Sequence, residues 1–151
     1  MNKLVRWLSV LWVALLFFSV THAGVGESKG SATKEELSSL YQRYFEAKDQ
    51  EKIRTLVYWP GVLDRDRDSF SRSVDYDLQF KIKKIEMAPL DKNRTLEYTT
   101  EGTTYRPTLE PVGQLVVSYE SQDSIKNLST SYLVGVKDNR YYIVLASPVP
   151  K

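Results

Sequence analysis

Ser131-Tyr132-Leu133-Val134-Gly135-Val136-Lys137-Asp138-Asn139-Arg140-Tyr141-Tyr142-Ile143-Val144-Leu145 is the stretch that decides the fold. Two runs of β-branched and aromatic residues flank Asp138-Asn139, a pair that fits a two-residue type I′ turn. Such a turn fixes the register by counting. Lys137 faces Arg140, Val136 faces Tyr141, Val134 faces Ile143 and Tyr132 faces Leu145. Side chains alternate across a strand, so Tyr132, Val134, Val136, Tyr141, Ile143 and Leu145 share one face. Leu133, Gly135, Tyr142, Val144 and Ala146 share the other. Both faces are largely apolar. One should pack on helices, and the other needs a cover of its own.

Upstream, the period-2 pattern extends back to Phe80. Phe80 and Ile82 point one way, while Ile85 and Met87 have the opposite parity, with Lys83-Lys84 between them. A one-residue phase slip inside a strand is what a β-bulge leaves in a sequence. Leu96 to Tyr105, Gln114 to Tyr119, Ser131 to Val136 and Tyr141 to Ser147 read as further strands, ended by Pro148 and Pro150. The two prolines of Arg106–Pro111 mark that segment as a loop outside any ladder.

Before Phe80 the apolar period is 3.6. Thr33 to Glu36 fits a capping box, and Leu37, Leu40, Tyr41, Tyr44 and Phe45 follow as one helical stripe. Asp49 breaks the pattern and can cap a second helix with Ile53, Leu56 and Val57 on its apolar side, stopped at Trp59-Pro60-Gly61. Leu63 to Leu78 reads as a third helix with Phe70, Val74 and Leu78 inward.

The first residues look like a secretory signal. Lys3 and Arg6 precede an uncharged run from Trp7 to Val20, and Thr21-His22-Ala23 supplies a cleavage site before Gly24. The run is short of the ~20 apolar residues that a spanning helix needs. No cysteine follows, so lipid anchoring is excluded. The expected organisation is a signal peptide at 1–23, a flexible lead-in at 24–32 and a single domain at 33–151. The mature chain is then periplasmic or secreted and free of the membrane.

Cleavage removes two basic groups and the only histidine, His22, leaving 19 basic and 19 acidic residues from the original 21 and 19. A neutral domain has no bulk electrostatic reason to seek nucleic acid. Without His or Cys, it has no imidazole general base, catalytic triad, thiol nucleophile or common zinc site. No cofactor or metal is expected. Asp64, Asp66 and Asp68 mimic the start of a calcium loop, but Ser69 stands where that loop needs glycine, and Arg65 and Arg67 would oppose the ion. Asn93-Arg94-Thr95 and Asn127-Leu128-Ser129 match glycosylation sequons, which matter only in a eukaryotic secretory route.

This order of elements resembles the nuclear-transport-factor-2-like superfamily, of cystatin-like α+β architecture. The residues most similar to it are Leu40-Tyr41-Gln42-Arg43-Tyr44-Phe45-Glu46-Ala47-Lys48-Asp49 and Leu133 to Val144. The resemblance implies N-terminal helices packed on a strongly curved, bulged antiparallel sheet, which together form a cone with a pocket inside. Members serve as isomerases, dehydratases, transport factors and association modules, so the likeness implies a shape more than an activity.

Tyr41, Tyr44, Trp59, Tyr119 and Tyr132 are the candidates to line such a pocket. A buried tyrosine could donate to a carbonyl or a developing oxyanion, although filling the core is the plainer role. No Asp or Glu falls on an expected inward position, and Asp64, Asp66, Asp68, Asp75 and Asp77 read as a solvated face among arginines. The favoured reading is a non-catalytic binding or association domain. It holds a small apolar ligand, or pairs as a homodimer through Leu133, Tyr142 and Val144 on the second sheet face. The alternatives are an isomerase or dehydratase with a tyrosine donor and an aspartate base, and a secreted inhibitor or immunity-type protein.

Overall fold

A computed structural model describes residues 27–91, 95–120 and 128–149. The expected signal peptide, the start of the lead-in, and Asn93 and Asn127 of the two sequons lie outside the described residues. The class is α+β.

Helix α1 (Lys34–Glu46) starts as its sequence indicates. The Thr33 hydroxyl accepts from the Glu36 N–H at 3.0 Å, while the Glu36 carboxylate accepts from the Ala32 N–H. Leu37, Tyr41 and Phe45 form its buried stripe. Asp49 caps α2 (Gln50–Arg54) through the Lys52 N–H at 3.0 Å. The second helix stops earlier than expected. Val57–Tyr58 forms β1, and the Leu56 carbonyl accepts from the Ile143 N–H at 2.8 Å. Pairing with a distant strand thus takes the backbone that the apolar spacing had assigned to the helix. Helix α3 (Asp64–Asp77) buries Phe70, Val74 and Asp77. No helix among the described residues is long and apolar enough to cross a membrane.

The remaining strands are β2 (Ile82–Ala88), β3 (Tyr98–Thr100), β4 (Thr103–Pro107), β5 (Pro111–Tyr119), β6 (Ser129–Lys137), β7 (Arg140–Val144) and β8 (Ala146–Pro148). They form two sheets, β1-β7-β6-β5-β2 and β3-β4-β8. The single antiparallel sheet expected from sequence is therefore corrected: β1 runs parallel to β7, and the smaller sheet is separate. The hairpin register holds from Lys137↔Arg140 to Leu133↔Val144, with Asp138 and Asn139 both at positive φ. The bulge also appears, as a register shift between Ile82 and Lys84 opposite β5.

Three strand expectations need correction. Leu96 to Tyr105 is not one strand; Glu101 and Gly102, at φ 50° and 72°, fold it into the β3–β4 hairpin. Arg106 and Pro107 do belong to a ladder, because β4 at that point pairs only with β8, and a proline is tolerated where no second neighbour needs its N–H. Pro111 opens β5 beside an irregularity in the β5–β6 register. Tyr141 to Ser147 divides at Leu145, whose carbonyl accepts from the Thr108 N–H at 3.0 Å while the chain passes to the smaller sheet.

The core lies between the helices and the face carrying Tyr132, Val134 and Ile143, with Leu115 and Val117 of β5 beside them. Val136, next to the turn, is exposed. The opposite face is covered by the chain itself, and not by a helix. Lys29 and Gly30 donate to the Thr55 carbonyl, and Ser31 bridges Tyr141, so this part of the expected lead-in is tied down. Gly30 lies against the Tyr142 ring, which also meets Tyr58 edge-on at 5.6 Å. Leu109 closes over Gly135 and Val144. Tyr142 and Val144 are thereby buried, and Leu133 is half-buried.

Candidate functional site

The chemistry-bearing cluster of the interior centres on a residue that the sequence reading placed outside. Asp77, the last residue of α3, is 4% exposed. Its Oδ2 accepts from the Thr130 hydroxyl at 2.8 Å and, at the limit of bonding distance, from the Tyr132 hydroxyl at 3.5 Å. Tyr132 in turn accepts from the Tyr41 hydroxyl at 3.2 Å. The result is a buried chain of donors, Tyr41 to Tyr132 to Asp77, linking α1, β6 and α3. The signal for Asp77 was present: position 77 follows Phe70 by seven and Val74 by three, on the inward stripe of the helix. Its neighbours in a charged run concealed it.

Tyr119, at the end of β5, sits over this cluster with its hydroxyl shielded from water. That hydroxyl forms no well-directed bond among the described residues, although Asp77 and Thr130 stand close enough to affect its titration. Burial pushes the Tyr41, Tyr119 and Tyr132 phenols well above the ordinary tyrosine range. After burial, the neighbouring phenol of Tyr132 adds most at Tyr41, and the Asp77 charge adds most at Tyr119. Tyr41 and Tyr132 are held as neutral hydrogen-bonding groups, and Tyr119 as a neutral phenol beside them.

Of the five candidates, the fold brings Tyr41, Tyr119 and Tyr132 together around Asp77 and separates the other two. Tyr44 is half-buried at the edge of α1, beside the Arg43 guanidinium and the Lys52 ammonium. Trp59 is buried behind α2 and α3. Its indole N–H donates to the Arg54 carbonyl at 2.9 Å, and the Arg54 and Arg67 guanidinia lie 5.2 and 5.3 Å from its ring centre. Arg67 also donates to the Val62 and Trp59 carbonyls, so this cluster fastens the 59–62 turn to α3.

The interior is filled with rings. Tyr132 packs on Tyr41 and Phe70 at centroid distances of 5.6 and 5.8 Å, and Tyr119 packs on Phe45 and Phe80 at 5.7 and 5.6 Å. Open clefts lie elsewhere. One of about 450 Å³ has Phe45 and Phe80 at its base and Lys48 and Glu120 on its rim. Another, of about 290 Å³, runs between α3 and the smaller sheet. Tyr41, Tyr119, Tyr132 and Asp77 line neither.

Asp64, Asp66 and Asp68 occupy the first turns of α3. Residues two apart on a helix point in nearly opposite directions at 3.6 residues per turn, so these three do not converge as the ligands of a calcium loop do. Among the described residues, no three acidic groups gather in a way that could hold a metal ion. No protein-family model, curated protein or solved structure matches this chain.

Proposed function

We propose that this chain is an exported, non-catalytic binding or association domain of the nuclear-transport-factor-2-like kind. One observation supports the reading above others: the space between helices and sheet, where an enzyme of this shape would admit substrate, is occupied by the protein's own rings around Asp77. Binding then falls to the outer clefts. A homodimer through the second sheet face would have only Leu133 of its three expected residues to offer, since Tyr142 and Val144 lie under Gly30, Tyr58 and Leu109. The test is to express the whole precursor in a Gram-negative host and weigh the exported product by native mass spectrometry. Mass beginning at Gly24, with a small molecule retained under gentle conditions, is the expected result. A product that keeps residues 1–23, or one that consumes the molecule it carries, would defeat the reading.

A second reading, the isomerase or dehydratase, is favoured by Asp77 with the Tyr132 and Tyr41 hydroxyls beside it. It requires the rings to part for a substrate. A small apolar ketone that shifts the Tyr41 and Tyr132 side-chain resonances, and whose α-protons exchange only when Asp77 is present, would support it.

A further inference from the structure

We propose that the cleft between the Pro60-Gly61 turn and the β4–β8 ladder binds a small free carboxylic acid with an apolar body. The inference rests on the binding-domain reading and names the ligand class for one more outer cleft.

The cleft holds about 520 Å³, within the range that takes small ligands. Its walls are mostly apolar and stiff. Pro60, Pro107 and Pro148 supply ring faces, and Leu63, 40% exposed, supplies an aliphatic one. A proline has no N–H, so β8 cannot offer an added strand a full ladder at Pro148. That argues against an extended peptide and for a compact apolar body.

The polar part of the cleft is reachable and of one sign. Arg106 and Ser147 stand directly opposite each other in the β4–β8 ladder, so their side chains leave the same face of the smaller sheet as neighbours. Arg106 is exposed, and its guanidinium makes no hydrogen bond or ion pair among the described residues. The Ser147 hydroxyl is likewise unpartnered there, on a half-buried residue. A Cβ at Gly61 would touch that oxygen at 3.7 Å, so glycine keeps the approach to it open. None of the lining residues is acidic. Glu97 and Glu110 lie in the adjoining cleft that Arg106 also lines, and neither pairs with it. They repel an anion from that side and leave the proline-walled side as the approach.

A guanidinium presents its N–H donors in a planar fork that matches the two oxygens of a carboxylate, and the hydroxyl beside it adds another donor. The stiff walls then take the rest of the molecule out of water. Each other ligand class fails one part of this match. A neutral alcohol leaves the fork unused, an amine meets Arg106 with like charge, and an inorganic anion has nothing to lay on the walls.

Without residues 1–23 the chain has one tryptophan, Trp59, next to the Pro60 wall, and it reports on the cleft. Titration of the exported product with sodium octanoate should shift the Trp59 emission saturably. The same titration should move the NMR signals of the Gly61 and Ser147 amides and the Arg106 Nε–H. Octanol and octylamine should bind at least about tenfold more weakly, and Arg106→Gln should weaken octanoate by about tenfold, the scale of one lost charged contact. Arg106→Lys should recover part of that loss, because the charge returns without the fork. Ser147→Ala should cost about threefold, and it serves where Arg106→Gln disturbs β4. Octanol binding as tightly as octanoate, octanoate binding unchanged in both variants, or no saturable shift overturns the site. A leucine tripeptide held more tightly than octanoate would assign a chain end and overturn it too. A different molecule retained by the exported protein, with octanoate ignored, would leave the binding-domain reading standing without this cleft. Conversion of octanoate to a product would keep the cleft and defeat that reading.

Discussion

The Thr130 hydroxyl donates to Asp77 Oδ2 at 2.8 Å, which ties β6 to the last residue of α3 inside the core. A helix C-terminus is a poor place for a negative charge, since the last carbonyls already carry partial negative charge. Donors from the facing strand make the position tolerable. Thr130→Val should therefore cost about 1–3 kcal/mol, because the carboxylate loses its better partner while staying buried. Urea unfolding measures this. Asp77→Asn, which keeps an acceptor for Thr130, should cost less than Asp77→Ala. Equal costs would mean that the oxygen is not what holds Thr130.

Alkaline pH should unfold the protein through the same cluster. Burial raises the Tyr41, Tyr119 and Tyr132 phenols above the ordinary range. Unfolded, these groups lose their protons near about pH 10, whereas folded they keep them to higher pH. Above that value the unfolded state binds fewer protons, so stability falls as pH rises. Below about pH 9 their contribution is complete. Tyrosinate absorbance followed during the titration should rise in two steps, exposed phenols first, and these three together with the loss of tertiary circular dichroism.

Close backbone approach fixes two positions on the covered sheet face. A Cβ on Gly135 would stand 2.8 Å from both Leu109 Cβ and Val144 Cγ2, and one on Gly30, at φ +56°, would stand 2.5 Å from the Tyr142 ring. Gly135→Ala should cost about 1–3 kcal/mol by overpacking. Gly30→Ala should instead loosen the N-terminal segment, seen as faster amide exchange at Ser31 and Tyr141 with smaller change in the β5–β6 ladder. Exchange that stays slow at both amides would show that the segment does not depend on this glycine.

The β6–β7 turn can be improved. Asn139 sits at φ 58°, a conformation glycine adopts without strain. Asn139→Gly frees the unfolded chain, which opposes the gain, so relief of the positive φ should raise stability by less than about 1 kcal/mol and the melting temperature by at most a few degrees. A lower melting temperature would indicate that the Asn139 side chain contributes something that the turn geometry does not require.

Arg67→Ala removes two bonds to the carbonyls of Val62 and Trp59 and one guanidinium from the indole face. It should cost about 1–2 kcal/mol. In the chain without residues 1–23, Trp59 is the sole tryptophan, so its emission should shift to the red as the 59–62 turn loosens. An unshifted spectrum would place the restraint on Arg54 alone.

What could be read from the sequence was local. The Asp138-Asn139 turn set the hairpin register, Thr33 and Asp49 marked two helix starts, and the parity change around Lys83-Lys84 marked the bulge. Each depends on residues a few positions apart, whose dihedral limits and side-chain periods act before any distant contact forms. Tertiary structure decided the rest. The split into two sheets, the strand at Val57–Tyr58, the docking of Gly30 under Tyr142 and the inward place of Asp77 all depend on partners far along the chain, from Pro107↔Ala146 in the smaller sheet to Gly30 and Tyr142. A charged residue on a helical stripe looks solvated in one dimension. Only the facing hydroxyls of β6 make its burial affordable, and they meet Asp77 only when the helix lies on the sheet.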